Sequence, residues 1–174
     1  MPIRLLTVAL FVLLAGCTSD AKLAMCPAVT VLVDTATLPV MTSDKATDPA
    51  DILYTAQIVN ADGNCDIHKH DKQVEAGVDI HFRAARPKPG AAAGYKIPYF
   101  VAITTEGKVL AKQEFWVQFG FEQDQAVADF TDSVNSLLLT VGRDKRAADY
   151  GIVVGFQLTK AQLAMNRKVG RFAP

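Results

Sequence analysis

From Val74 to Phe82 the chain alternates apolar and polar side chains: Val74, Ala76, Val78, Ile80 and Phe82 against Glu75, Gly77, Asp79, His81 and Arg83. A strand sends successive side chains to opposite faces, so this period of two requires extended chain with one face buried. The period recurs at Val29, Val31 and Val33. It returns at Tyr54, Ala56 and Ile58, ahead of the turn-forming run Ala61-Asp62-Gly63-Asn64. Residues 99–105 are apolar on both faces and predict a central strand, and Glu106-Gly107-Lys108 reads as a turn. A long strand over 109–121 follows, with Phe115, Val117, Phe119 and Phe121 on one side. Residues 127–140 and the series Tyr150, Ile152, Val154, Phe156 and Leu158 complete the pattern. The expectation is an all-β, immunoglobulin-like antiparallel β-sandwich of about seven strands.

A short C-terminal helix closes it. Thr159 with Gln162 three residues on forms a capping box, and Leu158 with Leu163 supplies a hydrophobic staple, which predicts a helix over 159–167. Residues 137–150 carry a strand, the loop Gly142-Arg143-Asp144-Lys145-Arg146, and then Asp149-Tyr150 opening the last strand. This stretch is similar to the E–F corner of immunoglobulin-like and fibronectin type III domains, which implies that the Tyr150 hydroxyl bonds back to the corner backbone. The loop over 84–96 is rich in Pro, Gly and Ala and reads as the most mobile segment.

At 174 residues and 50% hydrophobic content the chain makes one domain and is too apolar for disorder. Its 18 basic and 18 acidic side chains lack the cationic excess that nucleic-acid binding requires.

The first seventeen residues, MPIRLLTVALFVLLAGC, place Arg4 before an apolar stretch and then small residues. That is the order of a secretory signal, with an apolar run too short to span a bilayer. Leu14-Ala15-Gly16-Cys17 resembles the lipobox of bacterial lipoproteins; a plain signal with an incidental cysteine is the alternative. The resemblance implies cleavage of residues 1–16 and lipid on Cys17, with residues 17–27 as tether and 28–174 as the β-sandwich domain. It implies no cofactor beyond that covalent lipid. Thr18 in place of Asp implies export to the outer membrane, periplasmic face; the inner membrane is the alternative. A tether from Thr18 to Pro27 reaches at most about 35 Å.

With Cys17 carrying lipid, Cys26 and Cys65 remain in an oxidising compartment, and that pair predicts a structural disulfide. A redox pair or metal thiolates would be expected to show Cys-x-x-Cys spacing. Cys26-Pro27, Cys65, Pro98-Tyr99-Phe100-Val101-Ala102-Ile103, Tyr150, Val154-Gly155-Phe156-Gln157-Leu158, Gln162-Leu163 and Asn166-Arg167 together resemble an uncharacterised lipoprotein family of Gram-negative bacteria. That resemblance implies location and no activity.

Candidate chemistry is sparse. His68 and His70 form a His-x-His pair whose imidazoles share a strand face, and with Asp66 or Asp71 they could take Cu(II), Ni(II) or Zn(II). The competing reading is a solvated hairpin end, with His81 too far along its strand to help. Ser19, Ser43, Ser133 and Ser136 lie in no Gly-x-Ser-x-Gly context. Glu122, Asp124, Asp129 and Asp132 are dispersed over a strand end, so no catalytic residue is assigned. Trp116 falls in the polar register between Glu114 and Gln118, either covered by a loop or exposed as an interface anchor. Lys160, Arg167, Lys168 and Arg171 either solvate the C-terminal tail or meet anionic headgroups. The chain thus reads as a lipid-anchored envelope protein, a non-catalytic interaction module held to the membrane by its lipid and serving an envelope protein partner. The alternative is a periplasmic metal- or ligand-binding protein using His68 and His70.

Overall fold

A computed structural model describes residues 25–43, 46, 48–68 and 72–169. Two four-stranded sheets face each other. The first holds β1 (Ala28–Val31), β8 (Tyr150–Phe156), β5 (Ala93–Thr105) and β6 (Lys108–Phe121), in that order. The second holds β2 (Thr37–Met41), β3 (Ile52–His68), β4 (Gln73–Ala85) and β7 (Val127–Thr140). A single α-helix among the described residues, α1 (Lys160–Val169), follows β8. The expected signal peptide over 1–16 and the expected lipid site Cys17, together with His70, Asp71 and Arg171, lie outside the described residues.

The all-β sandwich expected from the alternation is present, with eight strands. One pairing departs from the antiparallel expectation: β1 runs parallel to β8, with Ala28 opposite Gly151. Geometry explains this. After β1 the chain crosses to the other sheet through a 3₁₀ turn at Val33–Thr35, which sits against β8, where Leu32 N–H donates to the Val154 carbonyl at 2.9 Å. A Cβ at Gly155 would collide with the Thr35 hydroxyl and the Phe100 ring, so glycine lets the turn lie against the sheet.

The run Ala61–Asn64 is not a turn. β3 passes through it in a strand of 17 residues, paired with β4 from Thr55 to His68. Long pairing with β4 overrides local turn propensity here. Gly63 is required for another reason: a Cβ there would overlap the Val29 side chain of β1. The eighth strand, β2, escapes a pattern reading because Pro39 interrupts it, and proline is tolerated only where no ladder donor is needed. β2 lies at a sheet edge, paired on one side with β3.

The core is aromatic and lies between the sheets. Phe119 of β6 stacks on Phe130 of β7 at 4.4 Å between centroids, and Phe82 packs against Tyr99, Phe130 and Phe156. Tyr54 meets Tyr95 and Phe119; desolvation by burial, then the neighbouring Tyr95, push its pKa up to about 12.

The capping box forms, with Thr159 N–H donating to Gln162 Oε1 at 2.9 Å and Gln162 N–H to Thr159 Oγ1 at 3.2 Å. α1 then covers the free edge of β2. Gln162 Nε2 donates to the Pro39 carbonyl at 3.0 Å, and Asn166 Nδ2 donates to the Thr37 carbonyl at 2.7 Å and the Asp34 carbonyl at 3.0 Å. These amides satisfy carbonyls that an edge strand otherwise leaves to solvent or to a second chain. No helix among the described residues is long and apolar enough to cross a membrane.

Candidate functional site

The structure separates the residues singled out from the sequence. Cys26, just ahead of β1, is disulfide-bonded to Cys65 on β3 in the other sheet, with a Cα–Cα distance of 5.8 Å. The bond therefore fastens the start of the domain across the sandwich.

Trp116 is 52% exposed on the outer face of β6, beside its cross-strand partner Pro98, with Lys96 Nζ 5.4 Å from the ring centroid. Trp116 is thus exposed and not covered by a loop. A cation over the ring face favours this arrangement electrostatically.

The acidic residues diverge. Asp129 takes a two-pronged bond from Arg83 at 2.7 and 3.1 Å, which holds its carboxyl below the usual carboxylate range. Asp132 accepts from the Tyr99 hydroxyl, Asp124 occupies a turn with φ of 60°, and Glu122 offers its carbonyl to Arg86. Ser133 and Ser136 donate to Asp79 and Glu75 across strands. Strand register also makes one contact chain that the sequence does not announce. Thr131 Oγ1 lies 3.3 Å from His81 Nδ1, and His81 Nε2 lies 3.3 Å from Asp62 Oδ2. All three groups sit on the open outer face of β3, β4 and β7, where they stitch neighbouring strands.

The segment over 84–96 is shorter and better held than its composition implies. Ala84 and Ala85 belong to β4 and residues 93–96 to β5. Arg86 gathers the loop between them, donating to the carbonyls of Gln125, Ala91, Gly90 and Glu122 at 2.7 to 3.2 Å while its guanidinium lies 4.7 Å from the Phe121 ring centroid. Of the C-terminal cations, Arg167 is held by an acid, its Nε pairing with Asp34 Oδ2 at 3.1 Å.

Whereas His81 borders a shallow depression of about 470 Å³ on the outer sheet face, His68 joins a groove at one end of the sandwich. The His68 Nε2 is 3.9 Å from Glu75 Oε2, and the groove, of about 810 Å³, is at the end where the chain enters. The groove lies between the adjoining ends of β3 and β4 and the corner joining β7 to β8. The Val141 N–H donates to the Lys72 carbonyl at 2.7 Å, which pins corner to hairpin. The corner itself is held as expected, with Gly142 N–H donating to the Tyr150 hydroxyl at 2.9 Å. Met25, Ile67, Val141 and Ala147 supply apolar walls, Lys72, Arg143, Lys145 and Arg146 supply cations, and Asp66 supplies a carboxylate.

Two of those cations are internally balanced. Lys145 Nζ pairs with Glu106 Oε1 at 2.7 Å, which raises the lysine pKa, and Arg146 Nη2 pairs with Asp149 Oδ1 at 2.9 Å, which lowers that carboxyl. Lys72 and Arg143 are exposed and form no ion pair among the described residues. Gly142–Arg146 reads from the sequence as a connecting loop, and its convergence with Lys72 depends on which strand ends meet. Among the described residues no three histidine, cysteine, aspartate or glutamate side chains converge as metal ligands.

No protein-family model matches the chain, and no curated protein or solved structure is significantly similar to it.

Proposed function

We propose that this chain is a lipid-anchored envelope protein, held through Cys17 at the periplasmic face of the outer membrane, whose sandwich is a non-catalytic interaction module for an envelope protein partner. The observation that carries the reading is Trp116, an aromatic side chain half exposed on a strand that pairs along its whole length with the central strand β5. Rigidly mounted tryptophan costs little ordering entropy on association and dominates many interfaces. The disulfide supports the tethered arrangement, because it fixes the domain's first residues nine positions after Cys17.

The test is photo-crosslinking in living cells, with the probe at Trp116 and, separately, within the loop at 87–92. One dominant protein adduct at Trp116 is expected. No adduct above background at either position would overturn the interaction reading.

The groove beside His68 favours a second reading, a periplasmic ligand-binding protein. In its metal form this reading needs His68 and His70 together. Calorimetric titration of the soluble chain with Cu(II) or Zn(II) separates the two, since micromolar binding lost in the His68→Ala/His70→Ala variant would favour metal.

A further inference from the structure

We infer that the groove between the adjoining ends of β3 and β4 and the β7–β8 corner docks an anionic phospholipid of the membrane surface, with Lys72 and Arg143 taking the phosphate and the apolar walls taking the upper acyl chain. This deepens the anchored reading and rests on it. Three observations carry it.

The first is chemical complementarity. The walls contributed by Met25, Ile67, Val141 and Ala147 are apolar, and the two cations left over after internal pairing stand beside them; Asp66, the carboxylate among the described lining residues, is itself partnered. An amphiphile with a negative head fits that division, whereas a free anion would leave the apolar walls wet. Lys72 and Arg143 line the groove from different elements, one ahead of β4 and one in the β7–β8 corner. The arginine fork suits two phosphate oxygens and the lysine acts as a point charge.

The second is position. Met25 is 51% exposed and lines the groove, and Cys17 lies eight residues before it. Eight residues reach at most about 28 Å. A lipid on Cys17 therefore keeps this end of the sandwich within a short distance of the headgroups. The opposite end of β8 leads to α1, so the tethered end and the helix end are distinct.

The third is local rigidity. The Cys26–Cys65 bond, the Val141–Lys72 backbone bond and the Tyr150 corner all converge on this end. A preformed groove loses less entropy on filling than a loop that must first order.

The experiment uses the mature chain with Cys17→Ser, so that docking is measured without the covalent lipid. It is floated with vesicles of phosphatidylcholine alone, and with vesicles of phosphatidylcholine and phosphatidylglycerol in equal parts. Binding is expected to the anionic vesicles and to weaken with salt. The Lys72→Gln/Arg143→Gln variant changes two exposed side chains outside the core, and a cation near a lipid surface is worth about a fivefold change in binding. The pair should therefore lose roughly thirtyfold. Met25→Asp should weaken binding with both cations intact.

Equal binding by the wild-type and the double variant would overturn the proposal. So would absence of binding to anionic vesicles, or binding of inorganic phosphate that is lost in the double variant while vesicles are ignored. Lipidation is read separately, from the mass of Cys17 in membrane-extracted protein. Vesicle docking by a chain that is unlipidated in cells would sink the anchor reading and leave the groove assignment intact. A lipidated chain whose groove ignores anionic vesicles would do the reverse.

Discussion

The Tyr99 hydroxyl on β5 donates to the Asp132 carboxylate on β7 at 2.8 Å, a hydrogen bond from one sheet of the sandwich to the other. Asp132 pairs with Ile80 across β4 and shares the inward register of Phe130 and Val134. A carboxylate in that register on an edge strand discourages pairing with another chain, and the tyrosine supplies the donor that makes its half-burial tolerable. Tyr99→Phe should cost about 1.5–3 kcal/mol in urea unfolding, because a charged acceptor loses its donor. A cost below the resolution of that measurement would show that Asp132 is satisfied by water.

Alkaline pH should destabilise the domain through the same tyrosine and Tyr54. Burial raises both pKa values, that of Tyr54 to about 12, and the Asp132 hydrogen bond raises Tyr99 further. A raised folded pKa means that the unfolded chain releases its protons first, near the ordinary value of about 10. The stabilising contribution is therefore complete below pH 10 and falls as pH climbs towards the folded values. Absorbance at the phenolate band should rise for these two residues together with the loss of tertiary circular dichroism. Ionisation of all four tyrosines with the fold intact would contradict the burial.

Reduction of the Cys26–Cys65 bond reopens a loop of 39 residues' separation. The chain-entropy model puts the loss at about 4 kcal/mol. Denaturant unfolding of the Cys26→Ser/Cys65→Ser chain against the oxidised wild type gives the value directly. Because the bond joins the two sheets, the loss should appear in one cooperative transition.

Arg86 should be irreplaceable by lysine. One guanidinium reaches four carbonyls from two loops, a geometry that a single ammonium cannot reproduce. Arg86→Lys and Arg86→Ala are both expected to lose about 2–3 kcal/mol and to speed amide exchange over 87–92 and 122–126. Full rescue by lysine would show that charge alone matters there.

Cys17→Ser should move the protein from the membrane fraction to the soluble periplasm in cells. Docking through the groove alone is weak and reversible, whereas two or more acyl chains hold firmly. Retention of the variant in salt-washed membranes would refute lipid anchoring.

Local pattern alone determined most of the strands and their buried faces, though not β2 or the middle of β3, because a period of two is a property of neighbouring residues. Val74–Phe82 needs no knowledge of its partners to be half buried, and the Thr159/Gln162 cap and the Tyr150 corner are likewise written within eight residues. The tertiary structure decided everything that depends on register and strand order. It ran β3 straight through a turn-prone segment because β4 pairs with all of it, and it set β1 parallel to β8. It left Trp116 uncovered and took Asp34 from far along the chain to meet Arg167. Met25, Lys72 and Arg143 share no local pattern; long-range pairing of strand ends, a cost in loop-closure entropy that only the folded core offsets, brings them to one groove.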